Sequence, residues 1–215
     1  MSDQNAPLES LLGEYRRYRA TVQLHLEAVL KFISIAARKE IVRRIGLQAG
    51  PETESEVTLA MDLAIFARKP GRSRTIDRYA QATSYLPGSV EATVLAALRA
   101  ATFHLIRFDE RHETAGWVVS DIVSGAKLWF MDEGLAATGR PGDGFATRLI
   151  ELPPHYHATL GAAVPLSQGL AKQVFKSWEA RRASYAHADI EDMRFQELLY
   201  ATAIGQGAMH GIAYR

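Results

Sequence analysis

A chain of 215 residues can bury a core of its own and suits one domain or two small ones. Its 47% hydrophobic and 23% charged residues exclude a disordered chain, and 25 basic against 24 acidic residues leave no net field that would attract nucleic acid or anionic lipid. The lack of cysteine excludes disulfides, thiolate zinc sites and cysteine catalysis. Any attraction for an anionic partner must therefore be local.

No segment of the sequence is typical of a targeting signal or of a membrane span. Residues 1–7 lack the basic region and the apolar core of a secretory signal. Residues 152–171 carry no formal charge and have the length of a transmembrane helix, but three prolines and two histidines interrupt them. We therefore expect a soluble cytoplasmic protein without a membrane partner.

The first region is predicted to be helical. Pro7 suits a helix start, and no proline recurs before Pro51. Apolar residues between them recur three and four positions apart, as on one helical face, with Arg19 as the exception. They are Leu8, Leu12, Tyr15, Val22, Leu26, Val29, Ile33 and Ala36. Because further apolar residues in 22–37 lie off that face, we expect a helix–helix contact, either internal or between two subunits of a homo-oligomer.

Three more helices are predicted before the region of predicted strands begins. Residues 57–67 form a compact apolar helix that ends at a Pro-Gly pair. A short helix follows near 75–82, with Ser73 or Thr75 as its N-cap. Another helix opens at the Pro-Gly-Ser sequence of residues 87–89.

Short alternating segments separated by glycine and proline turns then predict strands. The predicted strands are roughly 104–109, 116–123, 127–132, 144–151 and 156–160. Five short strands at this spacing favour a small curled sheet or barrel.

Two closing helices complete the prediction. They run over 166–185 and 189–204, and the second has three acidic residues in its first turn, where they suit the helix dipole. The fold class is therefore α+β, with a helical region at 1–103, a small barrel at 104–165 and C-terminal helices at 166–215.

Several of these segments resemble a known group. Residues 61–66, 71–79 and 117–125, together with Met131-Asp132, Gly142-Asp143 and Thr159-Leu160-Gly161, are similar to uncharacterised bacterial proteins related to SEC-C-motif proteins. The resemblance covers roughly residues 60–165. It implies a helical half followed by a small β-barrel, with no established activity. Because SEC-C proteins carry a cysteine-rich zinc knuckle and this chain has no cysteine, that zinc site is not implied here.

The densest charge cluster lies between the second and third predicted helices. It contains Arg68, Lys69, Arg72, Arg74 and Arg78, against one carboxylate, Asp77. Arginine forks beside a helix N-terminus suit a phosphate or a nucleic acid backbone. The alternative is structural, with these arginines paired to Asp62, to Asp77 or to carboxylates of the strands. Both interpretations stay open, and the five cations are the predicted ligand-binding residues.

The close histidine pair, His155 and His157, suggests a metal site as an alternative. Alternate residues of one strand face the same side, so both imidazoles could reach one ion, with Asp132 or Asp143 as a third ligand. A pair alone fixes too few ligands, so we expect packed or surface histidines, no metal and no cofactor. Asp62 is expected to be solvated or paired. The Gly-x-Ser-x-Gly and His-Glu-x-x-His motifs of hydrolases are absent from the sequence.

These observations favour a non-catalytic cytoplasmic binding or adaptor module over an enzyme. Its predicted ligand surface is the arginine cluster, and its partner is nucleic acid or another protein. The rival hypothesis is a metal-assisted hydrolase that uses His155 and His157. No catalytic residue is assigned.

Overall fold

The computed structural model describes residues 5–47, 54–68, 71–182 and 189–209, and it confirms the α+β class. Within these ranges the N-terminal half contains five helices. They are α1 Asn5–Leu30, α2 Ile35–Arg44, α3 Glu54–Phe66, α4 Thr75–Ala82 and α5 Val90–Ala100.

A break separates α1 from α2, although the apolar spacing predicts one continuous helical face through Ala36. The amides of residues 31–33 bond to the carbonyls of residues 28–30, which tightens the last turn of α1. Ser34 is then extended, and its hydroxyl accepts the Ala37 amide as an N-cap. The two helices therefore meet at a bend of 106°.

The N-cap of α4 differs from the prediction of Ser73 or Thr75. Arg74 occupies that position, and it forms no capping bond through its side chain. The Thr75 hydroxyl instead donates to the Ala64 carbonyl at 2.7 Å, which ties the start of α4 to α3. The next helix follows the sequence signal, since Ser89 caps α5.

Five strands form a closed barrel in the order β1-β2-β3-β5-β4. They are β1 Thr102–Arg111, β2 Trp117–Asp121, β3 Lys127–Phe130, β4 Gly144–Leu152 and β5 Tyr156–Pro165. Their pairings are antiparallel except for β3 with β5, which are parallel at Phe130 and His157. Aromatic and aliphatic side chains form one buried cluster: Ile106, Phe108, Trp117, Val119, Phe130 and Leu149.

A short helix, α6 Glu133–Thr138, lies between β3 and β4 and was not predicted. The predicted third strand reaches Asp132, but this residue caps α6 by accepting the Leu135 amide at 3.1 Å. Leu135 then packs against the cluster that contains Phe108 and Trp117. The helix therefore contributes to the packing of the barrel.

Two C-terminal helices follow, α7 Gln168–Arg182 and α8 Met193–Gly205. The second begins later than predicted because Asp192 is its N-cap. Glu191 therefore lies before the helix, where its carboxylate accepts the Phe103 amide.

The helices cover the barrel through two further buried clusters. One joins α2, α3, α7 and α8 to β1, β4 and β5, and the other joins α1, the end of α3, α4 and α5 to β4 and β5. Tyr15, Val22 and Val29 of α1 are buried in the second cluster, so the predicted helix–helix contact is internal at these residues. Within the described ranges no single helix is long and apolar enough to cross a membrane, and α1 with α2 meets that test only as the bent pair.

Candidate functional site

A cleft of about 380 Å³ lies between the α1–α2 turn, α2, the end of α3 and the start of α4. Its polar side is formed by Ser34, Arg72, Ser73, Arg74, Thr75 and Arg78. Its apolar side is formed by Phe32, Ile33, Ala37, Ile41, Leu63, Ala64 and Ala67. We call this feature the arginine cleft. Its described lining contains three arginines and no carboxylate.

Arg72 is the arginine of this cleft that the described structure leaves without a protein partner. It is exposed, and it forms no ion pair or hydrogen bond with the described residues. It follows Gly71, whose φ of +69° turns the chain into the arginine segment. Its guanidinium can therefore contact a ligand without breaking an interaction with the described part of the protein.

Arg74 matches the structural alternative, because it is held by Asp77. Its Nε and Nη2 donate to the two carboxylate oxygens at 2.8 and 3.0 Å, and Nη2 also donates to the Arg99 carbonyl. The hydrogen bond from Arg74 lowers the pKa of Asp77, so the carboxylate stays ionised. Since Arg99 lies 3.5 Å from the same carboxylate, Asp77 faces two cations.

Arg78 connects α4 to the α1–α2 turn. Its Nη2 donates to the Phe32 carbonyl at 3.3 Å and to the Thr75 hydroxyl at 3.1 Å. Both acceptors are neutral, so its positive charge is not compensated by these bonds.

Two helices begin at this cleft, because the N-caps of α2 and α4, Ser34 and Arg74, both line it. Helix N-termini favour anions through their unpaired amides and the helix dipole. In α2 the Ser34 hydroxyl already accepts the Ala37 amide. In α4 no capping side chain covers the first-turn amides. The helix N-termini and the arginines therefore both favour an anion in the cleft.

The other predicted ligand residues lie elsewhere. Arg68 is exposed and does not line the cleft, and Lys69 lies outside the described residues. The structure thus brings together Arg72, Arg74 and Arg78 from the predicted set of five. The apolar half of the cleft was missed, since its residues come from α2, α3 and the turn before α2.

The two histidines of the rival hypothesis have different environments. His155 precedes β5, has a φ of +94° and bonds to Glu151 at 2.8 Å, so it does not share a strand face with His157. Burial lowers the pKa of His157, whose Nδ1 has no partner among the described residues. In the described ranges no group of three or more histidine, aspartate and glutamate side chains could hold a metal ion.

Asp62 is a paired carboxylate, as one of the two sequence interpretations expects. It is 4% exposed and accepts from Arg148 at 3.0 and 3.3 Å and from the Tyr200 hydroxyl at 3.0 Å. Its partner lies on β4 and not in the arginine segment. The buried network therefore joins α3, β4 and α8 and does not contribute to the cleft.

A second cleft with several arginines lies among α2, α7 and α8, and sequence reasoning did not find it. Three of its four lining arginines are paired: Arg43 and Arg44 both bond to Glu40, and Arg44 also bonds to Glu197. A further lining arginine, Arg194, is paired with Asp192. The fourth, Arg181, forms no ion pair with the described residues. One of four arginines is thus unpaired here, against two of three in the arginine cleft, so this is the weaker anion site of the two.

One polar array on the barrel has the order of a catalytic triad. Thr102 Oγ1 lies 2.8 Å from His104 Nε2, and His104 Nδ1 lies 2.7 Å from Asp121. Asp121 also accepts the amides of Val123 and Ser124, so it closes the β2–β3 turn. Because Asp121 is bonded to the turn amides and to the Ser124 hydroxyl, we assign this array a structural role.

Comparisons with known proteins place the chain in a family without assigning it an activity. No curated protein and no solved structure matches it. The resemblance to relatives of SEC-C-motif proteins stays a prediction. One family model matches residues 9–203, which is most of the chain. The chain therefore belongs to the family of unknown function DUF7986.

Proposed function

We propose that this protein is a non-catalytic cytoplasmic binding module that holds an anionic group in the arginine cleft. The observation that carries the proposal is the composition of the cleft wall, with three arginines and no carboxylate among its described residues. An uncompensated positive wall in a concave site attracts anions more strongly than the same charges on an open surface.

Ion pairing within the protein does not remove this charge. The carboxylate of Asp77, beside the cleft, faces Arg74 and also lies near Arg99. Arg72 and Arg78 form no ion pair with the described residues. The cleft therefore retains net positive charge after its internal pairs are counted.

The arginines have different roles in this proposal. Arg74 is oriented by its two bonds to Asp77 and supplies a fixed cation with a side chain only 12% exposed. Arg72 is exposed and approaches the anion from the open side. Guanidinium groups bind phosphate and carboxylate through paired N–H donors, so this arrangement selects an oxyanion.

Calorimetric titration with inorganic phosphate tests the proposal. Arg72→Ala is expected to weaken binding by roughly 10- to 100-fold, since a hydrogen bond to a charged group contributes about 1.5–3 kcal/mol. Arg68→Ala is the matched control, because it removes a neighbouring exposed arginine outside the cleft and should change the affinity by less than about twofold. Thermal melts should place both variants within about 0.5 kcal/mol of the wild type.

The same two variants separate the cleft from an extended nucleic-acid surface. The affinity for a single-stranded oligonucleotide should be compared between the wild type and the two variants. If the protein binds the oligonucleotide and both Arg68→Ala and Arg72→Ala weaken that binding equally, the whole arginine segment is the interface and the cleft proposal is wrong. Phosphate binding that survives Arg72→Ala unchanged also contradicts it.

A further inference from the structure

We infer that the ligand of the arginine cleft is a small amphipathic anion, with an oxyanion head and a short apolar body. This inference rests on the proposed function and adds the chemical class of the ligand. The observation that supports it is the apolar side of the cleft, which a site for a bare anion would not need.

The apolar side is built from buried side chains of three elements. Ile33 of the turn, Ile41 of α2 and Leu63 of α3 are 7%, 2% and 1% exposed. Ile33 belongs to the hydrophobic cluster around α1, whereas Ile41 and Leu63 belong to the cluster around α7 and α8. Ala64 packs against both clusters. The cleft therefore opens at the junction of the two cores, where small side chains leave space next to apolar surface.

The volume of the cleft fits a small molecule better than a polymer. About 380 Å³ lies within the range of ligand pockets, which are usually apolar with a few polar groups at fixed positions. Surfaces for single-stranded nucleic acid combine a cationic groove with exposed aromatic rings on which bases stack. The one aromatic side chain of the described lining, Phe32, instead packs edge to face on Tyr79 at 5.6 Å.

The polar and apolar groups are arranged to bind the two ends of one molecule. Arg72, Arg74 and Arg78 lie on α4 and the segment before it, and the apolar residues lie on the turn, α2 and α3. An oxyanion at the arginines can therefore place an attached alkyl or aryl group on the apolar side. Phosphates and carboxylates share this chemistry, and the experiment distinguishes them.

The test is a titration series in which only the apolar body changes: inorganic phosphate, butyl phosphate and hexyl phosphate. Affinity should rise about fourfold for each methylene that is buried, until the cleft is full. Formate, pentanoate and heptanoate form the matching carboxylate arm. The higher affinity at equal chain length identifies the head group, and a gain with chain length in either series supports the inference.

A steric variant locates the apolar body. Ala37→Leu places a larger side chain in the cleft and should abolish most of the gain with chain length while inorganic phosphate still binds. Ala36→Leu on the same helix is the control, because Ala36 is exposed and does not line the cleft. If Ala37→Leu fails to fold, as judged by circular dichroism, Ala64→Val makes the same test from α3.

The outcomes separate the two proposals. Affinity that depends on Arg72 but not on chain length overturns the amphipathic ligand and leaves the anion-binding function in place. Equal losses in Ala37→Leu and Ala36→Leu also overturn it. If none of the anions binds, both proposals are wrong.

Discussion

Arg148 is a buried cation that joins several elements of the fold. Its side chain is 1% exposed and donates to Asp62 at 3.0 and 3.3 Å and to Gln196 at 2.9 Å. Its guanidinium also lies over the rings of Phe66 and Phe103. Because α3, β4 and α8 meet at this residue, the network fixes two helices on the barrel.

Arg148→Met should therefore lower the free energy of unfolding by roughly 3–5 kcal/mol, since it leaves the Asp62 carboxylate buried without its cation. Urea denaturation measures this loss. Arg107→Met is the control on a neighbouring strand, because Arg107 is 56% exposed and its pair with Asp109 should contribute less than about 1 kcal/mol. Similar losses in the two variants would contradict the structural role of the buried pair.

His25 is a second buried polar residue, and its hydrogen bonds fix its tautomer. Nε2 lies 3.0 Å from the Glu91 carbonyl, which can only accept, so Nε2 carries the hydrogen. Nδ1 then accepts from the Tyr79 hydroxyl at 2.8 Å, and that oxygen lies 2.9 Å from the Tyr85 hydroxyl. Burial lowers the pKa of His25, so the folded protein favours the neutral ring.

This shift predicts a pH dependence of stability. The unfolded chain takes up the proton near its ordinary pKa of about 6.5, whereas the folded chain does so at lower pH. The contribution of His25 is therefore complete above about pH 6.5 and decreases as the pH falls through the folded pKa. Urea unfolding at several pH values should show a smaller pH dependence in His25→Gln.

Among the helices, two serines allow a test of which residues act as N-caps. Ser89 caps α5 by accepting the Ala92 amide at 3.1 Å, whereas Ser73 precedes Arg74, the N-cap of α4. Ser89→Ala should cost about 1 kcal/mol of stability, and Ser73→Ala should cost less than about 0.5 kcal/mol. Thermal or urea unfolding of the two variants compares them directly. The reverse order would mean that Ser73 caps α4 after all.

The elements that the sequence predicted well are those with local signals. Glycine or proline breaks bound α3, α4, β2, β4 and β5 on both sides, and their apolar spacing matches their type. The junction of α5 and β1 has neither residue, and there the change of apolar spacing is the signal. The break at residues 31–34 has neither glycine nor proline, so its one local signal is Ser34. The short α6 has a comparable weak signal, since Asp132 can end a strand or cap a helix.

The candidate site was predictable only in part, because only some of its residues are close together in sequence. Arg72, Arg74 and Arg78 are close in sequence, so their charge cluster is visible without a structure. Ile41 and Leu63 are 22 positions apart and look like ordinary core residues. Only the tertiary packing of α2 on α3 places them beside the arginines. The pairing of Asp62 with Arg148 is also non-local, and sequence spacing cannot indicate it.

In the whole molecule, helices cover a closed barrel through two hydrophobic clusters. One holds α1, α4 and α5, the other holds α2, α7 and α8, and α3 contributes buried residues to both. The arginine cleft opens between these clusters, at the bend between α1 and α2. A ligand bound there contacts both groups of helices at once.

The alternative prediction, in which α1 joins two subunits, stays open. Leu24 of α1 and Ile35, the first residue of α2, are apolar residues that are 64% and 73% exposed. The buried face of α1 is already used inside the chain. Light scattering at high concentration should give a mass above the 23.8 kDa of one chain, and Leu24→Lys should restore that value. A wild-type mass of 23.8 kDa would show that α1 serves only the internal core.

Anion binding in the arginine cleft can be followed residue by residue in a backbone-amide NMR titration with inorganic phosphate. We expect the largest shift changes at the start of α4 and around Ser34, where two helix N-termini and three arginines meet. Arg72→Ala should reduce these changes, and Arg68→Ala should not. Shift changes confined to the cleft among α2, α7 and α8, or none at saturating phosphate, would contradict anion binding in the arginine cleft.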